Sequence, residues 1–174
     1  IRRKDIADGD KIYHCSLVEV GAEIYTSSIG QHFINLRQLS RDNNSYKVEW
    51  EMQQNTGADI HPIKSHLAAD IRNGIWIAAS FNAGGKDFVF GKDTIKGEDL
   101  LDGYVTQFRN RKQVYSAHIK GKGDQIVTGL FDANKSCISL ALAHGEFFSM
   151  DKLIHQATTS GLSLIEFNLF DPKK

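Results

Sequence analysis

Among the residues able to do chemistry, Cys137 has the most telling surroundings. The segment Asp132-Ala-Asn-Lys-Ser-Cys-Ile-Ser-Leu-Ala-Leu-Ala143 reads as a strand end, a polar turn and an apolar helix opening at the cysteine. Asn134 and Ser136 suit the N-cap, because a short polar side chain can accept from the first helical N–H groups. A thiol in that first turn feels unpaired N–H groups and the positive end of the helix dipole, which favour thiolate. Lys135 is close enough in sequence to add to that field. Burial is the competing explanation, since cysteine commonly packs as a small hydrophobe.

A cysteine nucleophile needs a base within hydrogen-bond reach and a group that orients the base. Of seven histidines, His66 is the best placed. Two β-like runs, 66–72 and 75–81, flank Asn73-Gly74, which is a strong type I′ turn signal. With a two-residue turn, Phe81 stands opposite His66, and Ser80 and Asn82 stand beside it. No carboxylate occurs there, so Asn82 is the candidate to orient the imidazole, provided the strand end twists or slips. Asp70 falls about 13 Å along the same strand and cannot hold His66 directly.

A rival set is Cys15, His118 and Asp132, whose order suits a papain-like hydrolase. Two features weaken it. Cys15 sits in a strand-like run, and the turn at 121–124 brings Asp132 nearer Arg111 than His118. His144-Gly-Glu146 imitates the H-x-E of zinc deaminases without the accompanying PCxxC. Gly84-Gly85-Lys86 lacks the frame of a phosphate-binding loop. Neither cysteine belongs to a cluster with zinc-ligand spacing, so no metal site is expected.

The elements that must position these residues read as a mixture of strands and helices. Strands are expected over 11–20, 46–52 and 162–170, where apolar and polar residues alternate or β-formers dominate. Helices are expected over 29–39, 94–109, 136–144 and 150–158, where apolar residues recur at helical spacing. The runs 113–120 and 125–131 read as a hairpin closed by Gly-Lys-Gly-Asp. No internal repeat stands out. The expected fold is α+β, a mostly antiparallel sheet with a few flanking helices, in one compact domain over 1–174. The chain opens at Ile1 rather than Met, which suggests a domain excised from a longer chain.

With 41% apolar and 24% charged residues, the composition is that of a globular domain. Twenty-one basic and twenty-one acidic residues cancel, which argues against nucleic-acid binding by bulk charge. Arg109, Arg111, Lys112, Lys120 and Lys122 are the local exceptions, and they also suit a solvated hairpin. No apolar run approaches membrane-spanning length.

The stretch Ser136-Cys-Ile-Ser-Leu-Ala-Leu-Ala143, with Phe147-Phe148 and Asp151-Lys-Leu153, resembles the catalytic-cysteine helix of the YopJ group of bacterial effector acetyltransferases. That group shares its core with the Ulp/adenovirus-type cysteine proteases. His66-Leu-Ala-Ala-Asp-Ile-Arg72 is similar to the histidine strand of the group, an H-x-x-x-D-x-R pattern. The two pieces cover about 35 of the 174 residues. The chain departs from the group in three places: no acid faces His66, Ile138 replaces the usual glycine, and the glutamine that precedes the cysteine in the protease branch is missing.

The resemblance implies that His66 activates Cys137, whose thiolate takes an acyl group and passes it to a protein hydroxyl, a lysine or water. It further implies acetyl-CoA as donor, inositol hexakisphosphate as activator, kinase-type protein substrates, and secretion into a host cell as a virulence effector. The residues themselves require no cofactor. A ubiquitin-like-type thiol protease is the hydrolytic variant of the same reading. The alternative is a non-catalytic protein-interaction domain, either a degenerate relative or an unrelated α+β module.

Overall fold

Antiparallel strands set the architecture of this chain, and a few of them are buried on both faces. The computed structural model describes residues 12–30, 33–55, 61–82, 85–90, 92–96, 101–134, 137–150, 153–156 and 159–169. The first sheet is a meander of β1 (Ile12–Val20), β2 (Glu23–Gly30), β3 (Phe33–Asp42) and β4 (Ser45–Asn55). The second contains β5 (His61–Ala69) and β6 (Ile75–Asn82). After a small hairpin, β7 (Phe88–Phe90) and β8 (Asp93–Ile95), it continues with β9 (Leu101–Arg109) and β10 (Lys112–Lys122). The third is β11 (Ile126–Asn134), β12 (Cys137–His144) and β15 (Gly161–Asn168), interrupted by the hairpin β13 (Phe147–Met150) and β14 (Leu153–Gln156). Every pairing is antiparallel.

The expected α+β class is therefore corrected to all-β, because the described residues contain no helix. The segments read as helices, 29–39, 94–109, 136–144 and 150–158, fall largely in strands wherever they are described. For 94–109, and in part for 136–144, the reason is burial from both sides. Along β9 every residue from Asp102 to Gln107 is buried, and β6 is buried from Ile75 to Phe81. A strand covered on both faces loses its alternation, so its apolar run can mimic helical spacing. The expected hairpin of 113–120 with 125–131 is also corrected. β10 pairs with β9 and β13, while β11 pairs with β12.

The second sheet lies between the other two. On one side Leu67, Ile75, Ile77, Ala79, Phe81, Tyr104 and Phe108 pack against Ile34 and Leu36 of the first sheet, with Trp50 and Met52 joining. On the other, Trp76, Ala78, Val105, Tyr115, Ala117 and Ile119 pack against Val127, Leu130, Ile138, Leu140, Leu142, Ile165 and Phe167 of the third. The first strands meet closely: β1 and β2 lie against β5, and β11 lies against β5, β6 and β9. Small side chains permit that approach, as where Ser16 Oγ donates to the Ser65 carbonyl at 2.6 Å. Ser27 and Ser65 hydroxyls pair there at 2.8 Å. Farther out, large rings fill the gaps, with Trp50 against Phe108 at 6.0 Å and Trp76 against Phe167 at 5.3 Å. Sheets that meet at their first strands and splay outward are set like blades of a β-propeller.

The second and third sheets repeat one plan that was not legible as a repeat in the sequence: two strands, a small inserted hairpin, then a strand returning beside the second. In the third sheet the insert departs from the plan. Its β13 leaves to pair with the end of β10, placing Phe147–Met150 beside Ile119–Lys122. Gly121 permits this, since a Cβ there would collide with the Phe147 carbonyl.

Asp70 closes the β5–β6 hairpin. Its side chain is fully buried and accepts from Arg72 N at 2.8 Å, Gly74 N at 2.9 Å, Trp76 Nε1 at 2.9 Å and Gln107 Nε2 at 2.8 Å. Gly74 is required as well, because a Cβ there would strike the carboxylate. Asp70→Asn turns one acceptor into a donor facing other donors. It should lower the unfolding free energy by about 3 kcal/mol, read from urea denaturation; a loss below about 0.5 kcal/mol would contradict this role for the carboxylate.

Candidate functional site

Cys137 opens a strand rather than a helix. It pairs in register with Asn134 of β11 and Asn168 of β15. The expected helix dipole is therefore absent at the thiol, and the N-cap role of Asn134 is corrected to strand pairing. Lys135 and Ser136 lie outside the described residues. The thiol is free and buried. Ile138, Leu140 and Leu142 point toward the second sheet, so strand alternation turns Cys137 to the opposite face of the third sheet.

His66 sits on β5 opposite Ala78. Its strand neighbours Ser65 and Leu67 face the first sheet, so His66 faces the third. It thus looks onto the face of the third sheet that Cys137 turns away from, and the structure does not bring thiol and imidazole together. Asn82 is opposite His61, four residues along β6 from the partner of His66, or about 13 Å. The expected register, with Phe81 opposite His66, is corrected because the Asp70 carboxylate captures Arg72 N and Gly74 N. Asp70 N also donates to Gly74 O at 2.9 Å, which lengthens the turn beyond two residues. Asn73 adopts a φ of 58° within it.

The rival set is also dispersed. Cys15 lies in β1 opposite Ser28, and Asp132 lies in β11 opposite Ile138. His118 on β10 takes a different partner, with its Nε2 3.1 Å from Asp102 Oδ2. The Asp102 side chain is nearly fully buried, while that of His118 is one-fifth exposed. A buried acid orienting a largely covered imidazole is the base-and-orienter half of a catalytic arrangement, and the sequence reading missed Asp102. Strand register held the signal, since Asp102 lies two residues along β9 from Tyr104, which stands opposite His118. Beside the pair, Tyr104 and Gln113 both donate to Asp93 Oδ2, at 3.2 and 2.6 Å.

His144 is structural. Nδ1 donates to the Gly145 carbonyl at 2.6 Å, leaving Nε2 to accept from Ser163 Oγ at 2.9 Å, and the ring packs on Phe148. The basic residues do not converge on an anion site. Arg109 approaches Asp70 at 3.6 Å, Arg111 Nε donates to Gln38, and Lys122 pairs with Glu146. Among the described residues, no three His, Cys, Asp or Glu side chains gather as a metal site. No helix there is long and apolar enough to cross a membrane.

A shallow niche, a cavity of only about 10 Å³, marks the cleft between the first two sheets where their hairpin turns lie. Tyr25, Leu36, Trp50, Asn73, Ile75, Phe108, Asn110 and Arg111 line it. The sheets have splayed here, so Trp50 and Tyr25 are left half-buried at the surface, while Phe108 beneath them is covered. Asn110 and Arg111 form the β9–β10 turn with φ values of 49° and 63°. This tight turn swings Arg111 across to Gln38 of the first sheet, 3.0 Å away. Exposed Arg72, Arg111 and Lys112 cluster on the adjoining turns. The aromatic and arginine lining was not anticipated, because Trp50 and Arg111 are far apart in sequence.

Burial, reinforced by a hydrogen bond from its own hydroxyl to Glu23 and by that charge, pushes Tyr25 up to about 12. Burial likewise raises Tyr104. An unfolded tyrosine ionises near pH 10, so the folded state holds these protons more tightly. The stability tied to the Tyr25 proton is complete below pH 10 and is lost as pH rises toward about 12. Tyr25→Phe should therefore show a shallower alkaline loss of stability than wild type in urea denaturation between those values. Equal slopes would contradict the assignment.

No family model matches this chain, and no curated protein or solved structure matches it.

Proposed function

We propose that this chain is a non-catalytic protein-interaction domain that uses the cleft between its first two sheets. The observation that carries this reading is the lining itself: half-buried Trp50 and Tyr25 beside exposed Arg111, at a rim of exposed turns. Aromatic and arginine side chains combine large contact area with directional hydrogen bonding, and they dominate protein–protein binding energy. The neighbouring Arg72 and Lys112 favour a polypeptide segment that sets an acidic residue beside an apolar one. Screening immobilised peptides should find ligands of that type whose binding Trp50→Ala and Arg111→Glu each weaken at least about tenfold. Retention of all ligands by both variants would count against the cleft.

Acyl transfer through Cys137 and His66 is the competing reading. It would require the thiol and the imidazole to meet from opposite sides of the third sheet, with acetyl-CoA and inositol hexakisphosphate as the implied donor and activator. Mass spectrometry after incubation with acetyl-CoA should find no adduct on Cys137, and alkylation of that thiol should be slow until the protein unfolds. An acetyl adduct on wild type that Cys137→Ala and His66→Ala both abolish would replace the interaction reading with the enzymatic one.

A further inference from the structure

The two end faces of the sheet stack are unlike the rest of the surface. Eight large apolar side chains are exposed among the described residues, and six of them lie on these two faces. Leu162, Leu164 and Phe131, at 71%, 59% and 44% exposure, belong to the face of the third sheet that points away from the second. Leu17, Tyr46 and Val48, at 61%, 48% and 44%, belong to the face of the first sheet that points away from the second. Scattered exposed apolar residues are ordinary, whereas concentration on two opposite faces marks contact surfaces.

The stacking already present says what each face fits. The second sheet meets the first with Ile75, Ile77 and Ala79, and the third meets the second with Ile138, Leu140 and Leu142. Both triplets lie on the second strand of their sheet, and at each junction the first strand of the later sheet lies across the first strands of the earlier one, so the stacking is head-to-tail and in one sense. The face left open on the third sheet corresponds to the one that receives a neighbour on the second. Ala141 and Ala143 stand there where Ala78 and Ser80 stand on the second sheet. The face left open on the first sheet is the one that each later sheet uses to dock.

We infer that the open face of the third sheet binds the open face of the first sheet of a second copy of this chain, continuing the stacking that the molecule makes twice within itself. The contact is heterologous, because each copy offers two different faces. Two copies joined through both pairs of faces would close a ring of six sheets.

Sedimentation of wild type, Leu164→Lys and Leu17→Lys at micromolar concentration tests this, with circular dichroism and urea unfolding confirming that each is folded. Wild type is expected to associate into two or more copies, and each variant to associate at least about tenfold more weakly. Mixing the two variants should restore a dimer, because one undamaged pair of faces remains between them. A monomeric wild type overturns the inference. Association that Leu17→Lys leaves untouched also overturns it, since that result indicates a symmetric contact through the third sheet alone. If Leu164→Lys fails to fold, Leu162→Lys on the same face takes its place.

Discussion

One buried carboxylate sets the geometry on which the rest of the structure depends. Asp70 gathers four hydrogen bonds from a turn, from β6 and from β9, with Arg109 alongside. A buried charge is tolerated only when its acceptor sites are filled, so the turn, Trp76 and Gln107 must each be in place. Holding the indole fixes the ring around which Tyr115 and Phe167 pack. Holding Gln107 aligns β9 with β6, and so determines where the β9–β10 turn carries Arg111. The interface with the third sheet and the cleft beside the first thus share one electrostatic anchor.

The wedge between sheets follows from side-chain size. Serines let β1, β2 and β5 approach closely, whereas Trp50 and Phe108 hold the outer strands apart. A flat stack would have closed the cleft at the turns. Because the separation grows outward, Trp50 and Tyr25 are half-covered there, and that is the state in which they can serve both as core and as contact surface.

Much of the strand content could be read from the sequence, and two of the misread segments share a cause. Strands 11–20, 46–52 and 162–170 keep exposed residues along one face, so their alternation survives. The segments 94–109 and 136–144 became β9 and β12, whose buried faces erase that signal. Ser-Leu-Ala-Leu-Ala is then as compatible with a covered strand as with a helix, and the misreading moved Cys137 to a helix start. The Asn73-Gly74 turn was rightly located, but Asp70 shifted its register, a tertiary effect invisible to turn propensities. The repeat escaped notice because Ile75-Trp-Ile-Ala-Ala and Ile138-Ser-Leu-Ala-Leu share only apolar character. The His118–Asp102 pair needed strand register to be seen at all.

The strand β13 belongs by chain order to the third sheet and by hydrogen bonding to the second. The boundaries of the sheets are therefore not the boundaries of the cooperative units. A cut placed between β10 and β11, where the sequence looks divisible, would strip the end of β10 of its partner and leave a bare strand edge open to aggregation. Neighbouring sheets are latched rather than merely stacked. Any gene fragment, duplication or graft that respects this latch must carry the hairpin of the following unit with the preceding one.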